Sequence, residues 1–179
     1  MKKEILLGVT GSIAAYKACD LANRLTKEGN NVTCIMTDSG REFVTPLTFQ
    51  TLTKNKVYYK MFEEIEYQNV HHISLAKKAD VCVIAPATAN VIGKLANGIA
   101  DDMLTTVVMA LEGKPVIICP AMNTAMYENP ITQANIQKLK DLGYLFTEPK
   151  EAMLACGDLG KGALADVETI LEDIYKVLG

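Results

Sequence analysis

Short, almost wholly apolar runs alternate along the chain with segments whose apolar residues recur at helical spacing. Ile5 to Val9, Val32 to Met36, Val81 to Ala85 and Val116 to Cys119 are rich in β-branched or small apolar side chains at both odd and even positions. That pattern predicts strands buried on both faces, as in a parallel sheet, with Tyr144 to Phe146 as a last short strand. Between them, Ala15, Ala18, Cys19, Ala22 and Leu25 mark one face of a helix that Gly29 ends. Thr45-Pro46 supplies the N-cap and first position of a helix to about Leu52, and Met103 to Leu111 reads as a buried helix after the break at Asn97-Gly98. Asn129-Pro130 opens a helix that runs to Leu142 and is stopped by Gly143. Asp166 caps a final helix with an apolar stripe of Val167, Ile170, Leu171, Ile174, Val177 and Leu178. Strand and helix in alternation, with connections long enough for crossovers, predict an α/β fold built on a doubly wound parallel sheet.

The pattern fails in two places. Lys54 to Val70 carries acidic and aromatic residues without a period and reads as an irregular excursion, with a short strand at Val57 to Tyr59. Thr147 to Ala165 contains Gly157, Gly160 and Gly162, a composition that fits either a functional lid or a disordered linker.

In an open parallel sheet, ligands bind beyond the carboxyl ends of the strands, so the segments after each apolar run carry the candidate chemistry. Gly8-Val9-Thr10-Gly11-Ser12 joins a strand to a helix through a glycine turn, which either presents backbone N–H groups to a phosphate or simply ends a strand. Thr37 to Gly40 offers hydroxyls that bond a phosphate or cap the next helix, and Thr88 or Asn90 can do both. Asn123 is either a substrate-holding amide or a turn residue bonded to nearby backbone. The two histidines, His71 and His72, enter a short helix, where such residues serve as caps or, titrating near neutrality, as proton carriers.

With 179 residues and 49% apolar content the chain suits one domain, residues 1–179. A formal charge of −3 without a basic run argues against nucleic acid as a partner. The apolar run after Met1-Lys2-Lys3-Glu4 is too short for a signal peptide and no run is long enough to span a membrane, so a soluble cytoplasmic protein is expected. Of the five cysteines, Cys34, Cys82 and Cys119 lie in strand-like runs and Cys19 on a helix face, as small core hydrophobes. Cys156, within the glycine-rich run, is the exception. No Cys/His spacing suggests a metal site, and none is expected.

Four separated motifs resemble those of the homo-oligomeric, flavin-containing cysteine decarboxylases and stand in that family's order. PAMNTAMYENP resembles the PxMNxxMW signature, with Tyr127 where tryptophan is usual. HISLAKKAD is similar to HIxLxxxAD, and PATAN to PASANT, with Thr88 for serine and Val91 for the final threonine. ACGDLGKG resembles the family's substrate clamp, with Ala163-Leu164 where Arg-Met often stands.

The resemblance implies a Rossmann-like, flavodoxin-like fold and an FMN cofactor. Its phosphate would lie near Gly11, Ser12 and Ile13, with Ser39, Thr88, Ala89, Asn90 and Ala121 completing the cofactor site. It implies His72 as base, Asn123 as holder of the substrate carboxylate or amide, and Cys156 as the lid acid, with Met126, Ala155, Gly157 and Asp158 also touching substrate. The implied reaction converts 4′-phosphopantothenoylcysteine to 4′-phosphopantetheine through a thioaldehyde and an ene-thiol. A peptidyl-cysteine decarboxylase of lantibiotic type would stop at the ene-thiol. A flavin prenyltransferase and a non-catalytic flavoprotein regulatory subunit are further alternatives. The family assembles as trimers, often as dodecamers, and its bifunctional members continue into a synthetase domain for which there is no room here. A monofunctional enzyme or a truncated bifunctional one is therefore expected.

Overall fold

The apolar runs become a parallel sheet, because strands with β-branched residues at every position can be satisfied only where both faces are covered. A computed structural model describes residues 2–62, 70–153 and 159–179. Its strands are β1 (Glu4–Val9), β2 (Asn31–Met36), β3 (Val81–Ala87), β4 (Val116–Pro120), β5 (Leu145–Phe146), β6 (Lys150–Met153) and β7 (Leu159–Ala163). Its helices are α1 (Ala15–Lys27), α2 (Asp38–Arg41), α3 (Pro46–Thr53), α4 (His71–Lys78), α5 (Ala89–Ala96), α6 (Met103–Ala110), α7 (Thr124–Glu128), α8 (Pro130–Asp141) and α9 (Val167–Leu178). The first five strands form one sheet in the order β2-β1-β3-β4-β5, parallel throughout. This is the flavodoxin-like order of a doubly wound, Rossmann-like α/β domain, and its strand order reverses at β1 and β3. A crevice therefore opens where the carboxyl ends of those strands part.

Two apolar layers sandwich the sheet. On one face Ala15, Leu21, Leu25, Phe49, Ile170 and Ile174 pack on Leu7, Val83 and Ile117. On the other, Leu75, Ile92, Leu104, Val107 and Leu139 pack on Leu6, Ile84 and Ile118. Each Leu, Ile, Val or Phe among them, when fully buried, contributes about 1.5–3 kcal/mol. Cys34, Cys82 and Cys119 are buried among them. Desolvation pushes the thiols of Cys82 and Cys119 up to about 12 and that of Cys34 still higher, so they behave as hydrophobes.

Several details depart from the pattern reading. Cys19 is only half-buried, and Leu21 takes the core position instead. In the excursion, Tyr58 donates its N–H to the Cys34 carbonyl and its own carbonyl accepts from Met36, so one parallel bridge extends the sheet past β2. Asp166 occupies the N-cap of α9, but its carboxylate pairs with Lys150 rather than with backbone N–H groups. The largest departure is in the glycine-rich run, where β6 and β7 form an antiparallel hairpin.

Candidate active site

Two grooves lie along the carboxyl edge of the sheet, separated by the turn after β1. The first, about 420 Å³, is walled by Ser12, Ile13, Tyr16 and Lys17 on one side and by Ala121, Met122, Asn123 and the hairpin residues Met153, Gly162, Ala163 and Leu164 on the other. The second, about 520 Å³, is walled by Thr10, Gly11, Thr37, Asp38, Ser39, Thr88, Asn90, Lys94, Asp101, Asp102 and Met126. Gly11 forms the tightest point between β1 and β2. A Cβ built on it would lie 2.4 Å from the Ser39 Cβ, so only glycine lets the two turns meet.

Buried hydroxyl bonds hold these turns. Thr10, 2% exposed, donates its Oγ1 proton to the Pro86 carbonyl at 2.7 Å and accepts the Thr88 N–H at 3.1 Å, tying the β1 turn to the β3 turn. Thr88 caps α5 by accepting the Val91 N–H, and Thr37 caps α2 by accepting the Gly40 N–H. Ser12 Oγ accepts the Ala14 N–H at 3.2 Å at the entrance to α1. Lys94 donates to Asp101 at 2.7 Å and to Asp102 at 3.4 Å. That bond raises the lysine's pKa and lowers that of Asp101.

Opposite the first groove, the chain leaves β4 and turns at Asn123. Its Oδ1 accepts the Ala125 N–H at 2.8 Å and caps α7, fixing the direction of the amide. The hairpin rests on this turn through its glycines. Met122 donates its N–H to the Gly162 carbonyl at 2.9 Å. A Cβ at Gly162 would meet the Met122 carbonyl oxygen at 2.4 Å, and one at Gly160 would meet Thr124 Oγ1 at 2.4 Å. Gly162 also has φ +148°, where an L side chain is strained. Glycine spacing in GKG is therefore set by the surface that the hairpin covers.

A second link is polar. Glu148 accepts from Tyr127 Oη at 3.2 Å, from Lys140 Nζ at 2.9 Å and from Lys161 Nζ at 3.2 Å, while the Lys161 ammonium lies 5.5 Å from the Tyr127 ring centre. Lys140, then Lys161, hold the Glu148 carboxyl below its usual range. Tyr127 itself is 7% exposed, and burial raises its hydroxyl's pKa.

Of the residues singled out from the sequence, Ser12, Ile13, Ala121 and Asn123 line the first groove, and Gly11, Ser39, Thr88, Asn90 and Met126 line the second. Ala89 opens α5 and faces a shallow neighbouring groove against α8. His72 is half-buried in the first turn of α4 and lines neither of the two grooves. Because α4 runs down to the start of β3, that first turn stands at the carboxyl edge of the sheet, the edge that carries both grooves. His71 packs its ring on Tyr58, centroids 5.3 Å apart. Ala155, Cys156, Gly157 and Asp158 lie outside the described residues. Sequence reasoning missed Tyr16, Lys17 and Met153 as groove residues, and placed Thr10 in the β1 turn without its bonds to the β3 turn. Thr10 had a signal, a hydroxyl beside the glycine turn, but its partners lie some eighty positions along the chain.

The whole chain, residues 1–179, matches the Flavoprotein family. It is 52% identical over 179 residues to the probable phosphopantothenoylcysteine decarboxylase of Streptococcus mutans, covering 99% of this chain and 100% of that one. It is also 52% identical over 170 residues to the coenzyme A biosynthesis bifunctional protein CoaBC of Bacillus subtilis, where the match covers 95% of this chain but only 42% of the longer one. Among solved structures, a PPC decarboxylase mutant with a cysteine replaced by serine, complexed with pantothenoylaminoethenethiol, superposes with a TM-score of 0.91 at 34% identity, covering 99% of each chain. The FMN binding protein AtHal3 gives 0.86 at 35% identity, covering 98% of this chain and 96% of that one. A doubly wound sheet with hydroxyl-lined grooves at its switch point, matched from end to end in sequence and in fold, places this chain in the Flavoprotein family.

Proposed function

We propose that this protein is an FMN-dependent decarboxylase that converts 4′-phosphopantothenoylcysteine to 4′-phosphopantetheine in coenzyme A biosynthesis. The observation that carries the reading is the first groove, where the Ser12 turn faces a wall formed by the Asn123 turn and the hairpin. The similarity to named decarboxylases along the full chain supports it. The residues present fit a flavin mononucleotide. Gly11 keeps side chains out of the β1 turn, and Ser12, Ser39 and Thr88 bring hydroxyls to the ends of three neighbouring strands, a donor set suited to a phosphate and a ribityl chain. Ile13, Asn90, Ala89 and Ala121 complete that site in this reading.

When bound, FMN supplies the two-electron oxidation of the cysteinyl thiol, without which the carboxylate has no electron sink. The protein's part is to orient and to move protons. Asn123, its amide direction set by the cap on Ala125, holds the substrate carboxylate with Nδ2 as donor. Met126, Ala155, Gly157 and Asp158 contribute to substrate contact. His72 takes a proton on its imidazole, the group best matched to neutral pH. Cys156 returns a proton from its thiol to carbon in the closing reduction. A neighbour with a cysteine-to-serine replacement that is complexed with an aminoethenethiol supports this assignment. The working form is a homotrimer or a dodecamer, a reading supported by exposed apolar side chains at Ile99, Met109, Met126 and Ile131. Its setting is the cytoplasm. Among the described residues, no helix is long and apolar enough to cross a membrane.

The test is direct. Purified protein supplied with FMN and 4′-phosphopantothenoylcysteine should release CO2 and yield 4′-phosphopantetheine by mass spectrometry. His72→Asn should keep flavin while CO2 release disappears. Failure of the parent to release CO2 would reject the reading, and normal turnover in His72→Asn would remove that residue from it.

A further inference from the structure

Around Glu148, four consecutive parts of the chain meet: the strand hairpin through Lys161, the α7 turn through Tyr127, α8 through Lys140, and the segment after β5 that carries Glu148 itself. Among the described residues, the hairpin also touches the Asn123 turn through the Met122 to Gly162 main-chain bond and the close approach of Gly160 to the Thr124 side chain. Glycine contacts fix distance but resist sliding poorly, because they offer no side chain to lock register. Glu148 supplies what they lack. Its two oxygens are divided: Oε1 accepts from Lys140 on the frame, whereas Oε2 accepts from both the hairpin lysine and the Tyr127 hydroxyl. Tyr127 sits four residues beyond Asn123, and its N–H donates to the Asn123 carbonyl at 2.9 Å. Its carbonyl in turn accepts from Gln133 at 2.6 Å, so the ring is held at both ends.

We propose that Glu148 is a positioning residue for the first groove, registering the β6–β7 hairpin against the turn that carries Asn123 through its paired contacts to Lys161 and Tyr127. This role rests on the functional reading above for its catalytic consequence, but not for its structural one. Loss of the Glu148 contacts lets the hairpin slide on its glycine seat, and Met153, Gly162, Ala163 and Leu164 then no longer hold one wall of the groove at a fixed distance from Asn123. The Gly11-Ser12 turn lies across the groove and is braced separately by Thr10, so flavin binding is untouched.

Native-state hydrogen exchange reads the seat directly, since the Met122 amide donates to Gly162. In Glu148→Ala and in Lys161→Met, the Met122 amide should exchange about tenfold faster or more, while the amides of β1 and β3 keep the parent's protection. Lys161→Arg, which keeps the ion pair, and Lys140→Met, which touches only the frame side, should exchange at the parent's rate. In flavin-saturated protein, Glu148→Ala should lower kcat/KM about tenfold at unchanged flavin affinity, with Lys161→Arg near the parent. An unchanged Met122 rate in both Glu148→Ala and Lys161→Met overturns the proposal, as does a rise in Lys140→Met equal to that in Lys161→Met. A faster Met122 amide with unchanged kcat/KM, in a parent that turns over, overturns the positioning role. A parent without turnover rejects the decarboxylase reading instead, and the exchange result still stands or falls alone. Should Glu148→Ala lose protection in β1 and β3 as well, Lys161→Met carries the test.

Discussion

At Asn123, cap and proposed substrate contact draw on different ends of one amide. Replacement by aspartate preserves the acceptor that caps α7, since Asp is as good an N-cap as Asn, but turns the donor end into an anion. Asn123→Asp should therefore fold and bind flavin as the parent does while kcat/KM falls roughly 100-fold, through repulsion of the substrate carboxylate. Asn123→Gln lengthens the side chain, weakens the cap and should cost less activity. If Asn123→Asp turns over as fast as the parent, the residue serves the turn alone. Cys156 allows a cleaner separation of steps. A serine hydroxyl is a far weaker acid than a thiol of unperturbed pKa about 8.5, so Cys156→Ser should release CO2 and accumulate the ene-thiol, two hydrogens lighter than the reduced product. Fully reduced product at the parent's rate would place the acid elsewhere. The three fully buried cysteines offer no such chemistry, because desolvation has driven their thiols far from ionisation.

Among the elements, the hairpin is the one that the sequence concealed. Lys150 to Met153 and Leu159 to Ala163 lack both the alternation and the β-branched content that announce a strand, and two of the five residues of β7 are glycine. Those glycines are there for a neighbour about forty positions away. Gly162→Ala should cost about 2 kcal/mol, from strained φ and the clash with the Met122 carbonyl, measured by urea unfolding. An alanine tolerated without loss would mean that the hairpin is not seated as described. By contrast, α5, α8 and the end of α8 at Gly143 were readable, because caps and stop signals lie within a few residues of the ends they govern. The α9 cap shows the limit of that rule. Asp166 stands where a cap belongs, yet Lys150, which no local pattern couples to it, takes its carboxylate.

For the molecule as a whole, the layered sheet was legible because burial on both faces leaves unbroken apolar runs, and crossover handedness leaves few ways to order the strands. The site was legible in part: turns at the carboxyl ends of β1, β2, β3 and β4 could be named before their meeting was known. What joins them was not. Thr10 bonds main-chain groups of Pro86 and Thr88 far along the chain, and Glu148 bonds Tyr127 and Lys161 across element boundaries, and a single sequence records each only as an isolated polar residue. His72, marked by its motif, stands at the carboxyl edge of the sheet and lines neither groove. The glycine seat of the hairpin has one more consequence. Attachment runs through main-chain atoms, absent side chains and the Lys161 to Glu148 pair, whereas Met153 and Ala163, which line the groove, make none of these fastening contacts. Substrate preference can therefore be rewritten there by substitution, in the laboratory or by descent, while the fastening beneath stays as it is.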